Sequence, residues 1–249
     1  MKTLLSVDWD FFVPEDPNCD LGHYETEDHL DMMWRARGGL LDTIKTNGEE
    51  EGFWASLVGS IDGVRSTYVS DSHMYAYRLL KGIDHVVLVD AHHDCWDMTE
   101  HWPEDDGYIY CNNWLRVWLS KRKHRRVTWI QPEWSRDMFS VPDDLRNRVT
   151  VENEIKGKID RVHVCRSGCW TPPWTDKQFI KFVEARKSVK INMQNEMPWN
   201  PLAERWTEAD LQELRKEELE FQESIKRVKT GFMPSVSLVD AKKELAIQA

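Results

Sequence analysis

No apolar run in this chain approaches the roughly 20 residues that a membrane-spanning helix needs. The apolar stretch of a secretory signal is missing near the start, where Asp8 and Asp10 interrupt it, so a cytoplasmic chain with no membrane partner is expected. Cysteine is sparse and unpatterned. Cys19, Cys95, Cys111, Cys165 and Cys169 are odd in number and form no Cys-x-x-Cys pair, which argues against a disulfide framework or a structural zinc knuckle and leaves reduced thiols. Positive charge is also short, with 33 Lys and Arg against 43 Asp and Glu and a net charge of −10. A nucleic-acid binder would carry a basic stripe, so a cationic substrate fits better. The basic cluster from Lys121 to Arg126 reads as a solvated helix end, where cations suit the macrodipole. Repeats and low-complexity tracts are lacking as well.

What is present is an ordinary globular composition, 41% hydrophobic and 31% charged over 249 residues, enough for one sizeable core. Residues 1–249 are read as a single domain. Strands are expected at Thr3 to Asp8, Ala55 to Val58, Val86 to Asp90, Val127 to Gln131 and Val162 to Cys165. Helical spacing falls between them: Met74 to Leu80 stopped by Gly82, and a stripe of Trp114, Leu115, Trp118 and Leu119. Thr175 with Gln178 has the pattern of a capping box, and Thr207 with Asp210 marks the start of an amphipathic helix over about 207–229. This alternation predicts a three-layer α/β/α fold with a mostly parallel sheet.

The run Val86 to Asp94 carries the chemistry. Four β-prone residues lead into Asp90, His92 and Asp94, and alternate residues of an extended segment point the same way, so the three groups can converge on one ion. Asp8 and Asp10 repeat that spacing inside the apolar run Leu4 to Phe12, where an unpaired carboxylate would cost roughly several kcal/mol. In open α/β sheets ligands bind beyond the carboxyl ends of strands, and both clusters fall at such ends. Five donors exceed what one ion takes and suit two divalent cations roughly 3.5–4 Å apart, an arrangement that makes hydroxide available for hydrolysis near neutral pH. His73, on the loop leading into the Met74 segment, is the candidate sixth ligand. Manganese suits this oxygen-rich set better than zinc.

Asp90-Ala91-His92-His93-Asp94 resembles the Asp-Ala-His-x-Asp motif of the arginase and agmatinase superfamily, the ureohydrolases. Ser6-Val7-Asp8-Trp9-Asp10 resembles their Ser-x-Asp-x-Asp motif, and Ser70-Asp71-Ser72-His73 is a fainter echo of their Gly-Gly-Asp-His-Ser loop. The resemblance implies an arginase-like fold and a dimanganese site held by Asp8, Asp10, His73, Asp90, His92 and Asp94. Here the Ser-x-Asp-x-Asp segment comes first in the chain, the reverse of ordinary ureohydrolases. That order, with the segment Cys111-Asn112-Asn113-Trp114-Leu115, resembles a divergent branch containing peptide arginases, which turn arginine side chains of precursor peptides into ornithine. By the same resemblance Asp94 accepts and passes on a proton. The usual catalytic histidine would fall near Cys111 to Asn113, where this chain has none, so His101 is the candidate proton shuttle, while Asn112 or Asn113 is a candidate to orient the substrate or, equally, an N-cap for the Trp114 helix.

A guanidinium needs a planar acceptor, for which Asp97 and Glu133 are candidates. Among 13 tryptophans, Trp9, Trp96, Trp102, Trp134, Trp170 and Trp174 flank strand ends and could wall a substrate site, Trp9 and Trp96 foremost. Core packing or contact between copies of the chain in a homo-oligomer is the plainer role for any one of them. Cys165 to Trp170 is placed to form a lip. His93, in the variable position of its motif, points away from the ligand face. Three functions stay open: hydrolysis of peptidyl arginine to ornithine and urea with a precursor peptide as partner; the same or deacetylase-like chemistry on a small molecule; and a noncatalytic metal-binding maturation partner.

Overall fold

The computed structural model describes residues 1–14, 27–41, 43–97, 108–186, 190–193 and 200–229. A seven-stranded sheet organises them: β1 (Thr3–Asp8), β2 (Ser66–Ser70), β3 (His85–Val89), β4 (Arg126–Ile130), β5 (Val149–Glu152), β6 (Arg161–Cys165) and β7 (Lys190–Met193), in the order β5-β4-β3-β1-β6-β2-β7. Every pairing is parallel, so the carboxyl ends of all seven strands lie at one edge. The chain starts in the middle at β1, moves to one flank for β2 and returns to the other for β3, β4 and β5. Such a change of direction leaves a crevice at the central strand.

β1 is buried on both faces, as a central parallel strand must be. Its alternate residues feed two cores. Leu5 and Val7 join Val87, Val89, Phe179 and Phe182 on one side; Leu4 joins Val86, Leu88, Trp114 and Trp118 on the other. Helix α5 (Asp176–Glu184) covers the first face and α4 (Trp114–Ser120) the second, giving the expected three-layer α/β fold. Ser6 and Asp8 have the parity of Leu4 and therefore face the α4 side.

Four of the five expected strands are present to within a residue. The fifth is corrected: Ala55 to Val58 lies in two short helices, α2 (Phe53–Ser56) and α3 (Val58–Ile61), entered through Gly52 at φ 85°. A four-residue segment is too short for its period to distinguish strand from helix. The Met74 segment forms 3₁₀ turns over His73–Leu79. Strands β2, β5 and β7 had no expectation. The two capping patterns diverge. Thr207 and Asp210 form a reciprocal box, with Thr207 N donating to Asp210 Oδ2 at 2.7 Å and Asp210 N to Thr207 Oγ1 at 3.3 Å, at the start of α6 (Glu208–Lys229). Thr175 makes no cap: it ends a 3₁₀ turn, its hydroxyl is turned back onto Pro172 O at 2.9 Å, and it accepts from Trp9 Nε1 at 3.3 Å.

Helix α6 docks by its first half. Leu214 is buried against Trp34, Leu41 and Trp206, and Gly38 lets it approach: a Cβ there would stand 2.7 Å from Leu214 Cδ1. No described helix is long and apolar enough to cross a membrane.

Candidate metal centre

Strand register brings the two acidic segments together. Val7 of β1 is level with Val89 of β3, so Asp8 and Asp90 leave the sheet side by side. His73 follows β2, two strands away across β6, and lies beneath Trp114 of α4 with ring centroids 5.1 Å apart. Its Nδ1 is 3.0 Å from Asp8 Oδ2, 2.9 Å from Asp90 Oδ2 and 2.9 Å from Asp94 Oδ2. None of these contacts has the direction of a hydrogen bond, and both His73 Nδ1 and Asp90 Oδ2 are buried without a hydrogen-bond partner. Carboxylate oxygens gathered around one imidazole nitrogen off its N–H axis could be donors to a shared cation.

The second half of the centre is built on Asp10. A 3₁₀ turn over Trp9–Phe12, capped by the Asp8 side chain, directs the Asp10 carboxylate back toward β3, where Oδ1 accepts from Ala91 N at 3.3 Å and Oδ2 is 2.9 Å from His92 Nδ1. Asp90 Oδ1 accepts from His92 N at 2.7 Å. Donor atoms of Asp8, His73 and Asp90 form one group within 4.8 Å of one another, and those of Asp10, Asp90 and His92 form another. Either can hold a metal ion, and Asp90 belongs to both. Asp94 adds its oxygen beside His73, held by the Trp114 indole N–H at 2.5 Å and presented from a left-handed backbone at φ 49°.

The electrostatics match. Four aspartates sit with two imidazoles and no Lys or Arg pairs with any of them among the described residues. Burial, then the charges of Asp94, Asp10 and Asp8, hold Asp90 well above the usual carboxylate range, and burial with the charge of Asp8 raises Asp10. Burial alone would lower His73, but Asp94 and Asp8 carry it well above the ordinary imidazole value. These are the marks of a negative site short of cations.

No protein-family model, curated protein or solved structure matches this chain.

The geometry shows where each candidate lies. All six expected ligands, Asp8, Asp10, His73, Asp90, His92 and Asp94, come together. Five are almost wholly buried; the His92 side chain is 12% exposed and lies between Phe139 and Trp170, with ring centroids at 4.7 and 4.9 Å. The entrance is thus at His92. Trp170 belongs to the expected lip, whereas Phe139 had no signal in the sequence. Phe139 also lines a cavity of about 640 Å³ shared with His93, Trp96, Asp97, Arg116 and Asp144.

Several expectations need correction. Trp9 does not wall the site: it has the parity of Val7 and packs in the opposite core against Phe12, Phe179 and Phe182. Asp97 does not offer a free guanidinium acceptor, because Arg116 Nη2 already lies 2.5 Å from its Oδ2 and 2.9 Å from Asp144. Glu133 is exposed on the turn after β4. Trp96 stays 45% exposed against the His93 ring. Asn113 closes its own loop, accepting from Tyr110 N at 2.7 Å and donating to Tyr108 O at 3.1 Å, so both ends of its amide are engaged there. Asn112 has a buried side-chain oxygen without a hydrogen-bond partner. His101 and Trp102 lie outside the described residues. His93 points away from the ligands as expected: it accepts from Cys95 N at 3.0 Å, and burial lowers it to about 4, so it is neutral.

Behind the ligands, His163, which the sequence did not signal, joins the motif serines Ser6 and Ser70. Ser6 Oγ is 2.7 Å from His73 Nε2 and 2.9 Å from His163 Nδ1, and His163 Nε2 is 2.8 Å from Ser70 Oγ. The register explains it: Ser6 is level with His163 across the β1–β6 pairing.

Proposed function

We propose that this chain is a hydrolase using two divalent metal ions, manganese for preference, to convert the guanidinium of a peptidyl arginine to urea and ornithine. The observation that carries the two-ion reading is the sharing of Asp90 between two donor groups, Asp8–His73–Asp90 and Asp10–Asp90–His92. A carboxylate common to both groups is how a pair of ions is bridged. The orphaned His73 Nδ1 and Asp90 Oδ2 fit a bound cation, and the preponderance of carboxylate oxygen over nitrogen fits manganese better than zinc.

When bound, such a pair supplies a nucleophile derived from water at neutral pH and stabilises charge on the reacting group. The chain's own residues do the rest. His92, the most accessible ligand, places the reacting centre below Phe139 and Trp170, whose faces can stack a planar guanidinium. The cavity of about 640 Å³ that Phe139 lines has the size of a small-ligand site and could take an extended side chain. Asp94, oriented by Trp114 and without an Arg or Lys partner among the described residues, would accept the proton. The substrate assignment rests on the two motif resemblances and on the chain's net negative charge.

The test is metal analysis of the purified protein together with mass spectrometry of an arginine-containing peptide. About two metal ions per chain and a loss of about 42 Da per arginine, the CN₂H₂ removed with urea formation, are expected. Urea from free L-arginine with an unchanged peptide would assign a small-molecule substrate. Full metal content without hydrolysis of either would leave a binding role. His92→Ala should lose metal and turnover together, and unchanged stoichiometry in that variant would sink the two-ion reading.

A further inference from the structure

We infer that His163 is a positioning residue for the metal centre: with Ser6 and Ser70 it forms a directed hydrogen-bond chain that keeps a proton on His73 Nε2 and so reserves Nδ1 for a metal ion. This rests on the metal reading above and adds a residue from a third strand to it.

The direction follows from counting protons. Ser70 has one hydroxyl proton, and it is given to Ser72 O at 2.9 Å. Ser70 Oγ must therefore accept from His163, which puts a proton on His163 Nε2 at 2.8 Å. His163 is fully buried and both its nitrogens face hydroxyls, so a second proton there would be an unpaired buried charge. Its Nδ1 is thus an acceptor and takes the proton of Ser6 at 2.9 Å. Ser6 has no other proton, so its oxygen accepts from His73, which fixes the proton on His73 Nε2 at 2.7 Å.

Each link is forced by the one before it, starting from a main-chain carbonyl. The outcome is a His73 ring whose Nδ1 faces Asp8, Asp90 and Asp94 at 2.9–3.0 Å. A metal ion held at Nδ1 would leave the Nε2 hydrogen bond to Ser6 undisturbed. Preset tautomers of this kind typically contribute 10- to 100-fold to metal affinity. The four members come from β1, β2, β6 and the turn after β2, so closing the chain also fixes where the β2 turn delivers His73.

Two measurements test this. Imidazole ¹⁵N NMR of the intact protein, metal-free and loaded with Zn²⁺ as a diamagnetic probe, should show His73 protonated at Nε2 in both states. A His73 Nε2 without its proton in either state overturns the proposal. Mn²⁺ affinity of His163→Leu should fall by about 10- to 100-fold, and His163→Gln, which keeps one donor and one acceptor, should recover most of the loss. A folded His163→Leu protein that binds Mn²⁺ as tightly as the native chain also overturns it. Should His163→Leu fail to fold, Ser70→Ala takes its place, with a roughly 10-fold loss expected and no loss counting against the proposal. A native chain that binds no Mn²⁺ would defeat the metal reading alone, because the metal-free ¹⁵N spectrum still reports the direction of the chain.

Discussion

Two buried acidic clusters lie at the same edge of the sheet and are neutralised in opposite ways. In one, Asp71 and Asp176 meet guanidinium groups: the fully buried Arg166 donates through Nε to Asp71 and through Nη1 to Ala203 O at 3.0 Å, while Arg205 Nη2 holds Asp176 Oδ1 at 2.7 Å and also reaches Thr171 O at 2.8 Å. In the other, Asp8, Asp10, Asp90 and Asp94 share two imidazoles. Both clusters remove carboxylates from water, yet among the described residues only the first is matched by guanidinium groups. With no arginine beside the second cluster among the described residues, its acidic groups could hold a metal ion instead.

The contrast predicts effects of opposite sign. Arg166→Met leaves Asp71 buried without its main partner and should destabilise the protein by about 3–5 kcal/mol, read from denaturant unfolding. A loss under about 1 kcal/mol would show that the paired cluster is not structurally important. Gly168→Ala attacks the same network from outside. A Cβ there would stand 2.7 Å from Asp71 Oδ2 and 3.1 Å from Arg205 Nη1, so a loss of about 1–3 kcal/mol is expected. Asp90→Asn should do the reverse in the other cluster. It removes one of four crowded carboxylates and should stabilise the metal-free protein by about 1–2 kcal/mol while abolishing the stabilisation that added Mn²⁺ gives the native chain. A metal-free Asp90→Asn protein that melts below the native one would break the comparison.

The sequence disclosed these two clusters unequally. Asp8, Asp10, Asp90, His92 and Asp94 are legible because period-two spacing at the end of an apolar run is a local pattern, and their convergence needs only that β1 and β3 be neighbours. His73 required a guess about which loop returns to the same edge. The paired cluster was invisible: Arg166 falls in a run read as a substrate lip, and nothing local says that its guanidinium reaches back to Asp71, 95 residues away. Asp97 shows the same limit, since Arg116, 19 positions on, claims it from a helix. Trp9 was misplaced for a simpler reason. It shares the parity of Val7, which the alternation along β1 already assigned to the opposite face. Strand β2 was missed because Ser66-Thr67-Tyr68-Val69-Ser70 has polar residues at both ends and reads as a loop, although Ser70 earns its burial through the bond to His163.

The position of β1 has a consequence for how the molecule is made. It precedes the other six described strands in the chain and is the central one in the sheet, and its neighbour β6 supplies His163, 157 residues after Ser6. Pairings of such long range form slowly, so Leu4, Leu5 and Val7 wait exposed while the remaining strands are produced. During that interval Asp8 and Asp10 are solvated charges interrupting a sticky segment that continues into Phe11 and Phe12, the device by which natural sequences keep nascent strands from pairing with one another. The two carboxylates that strain the finished core would thus protect the unfinished one.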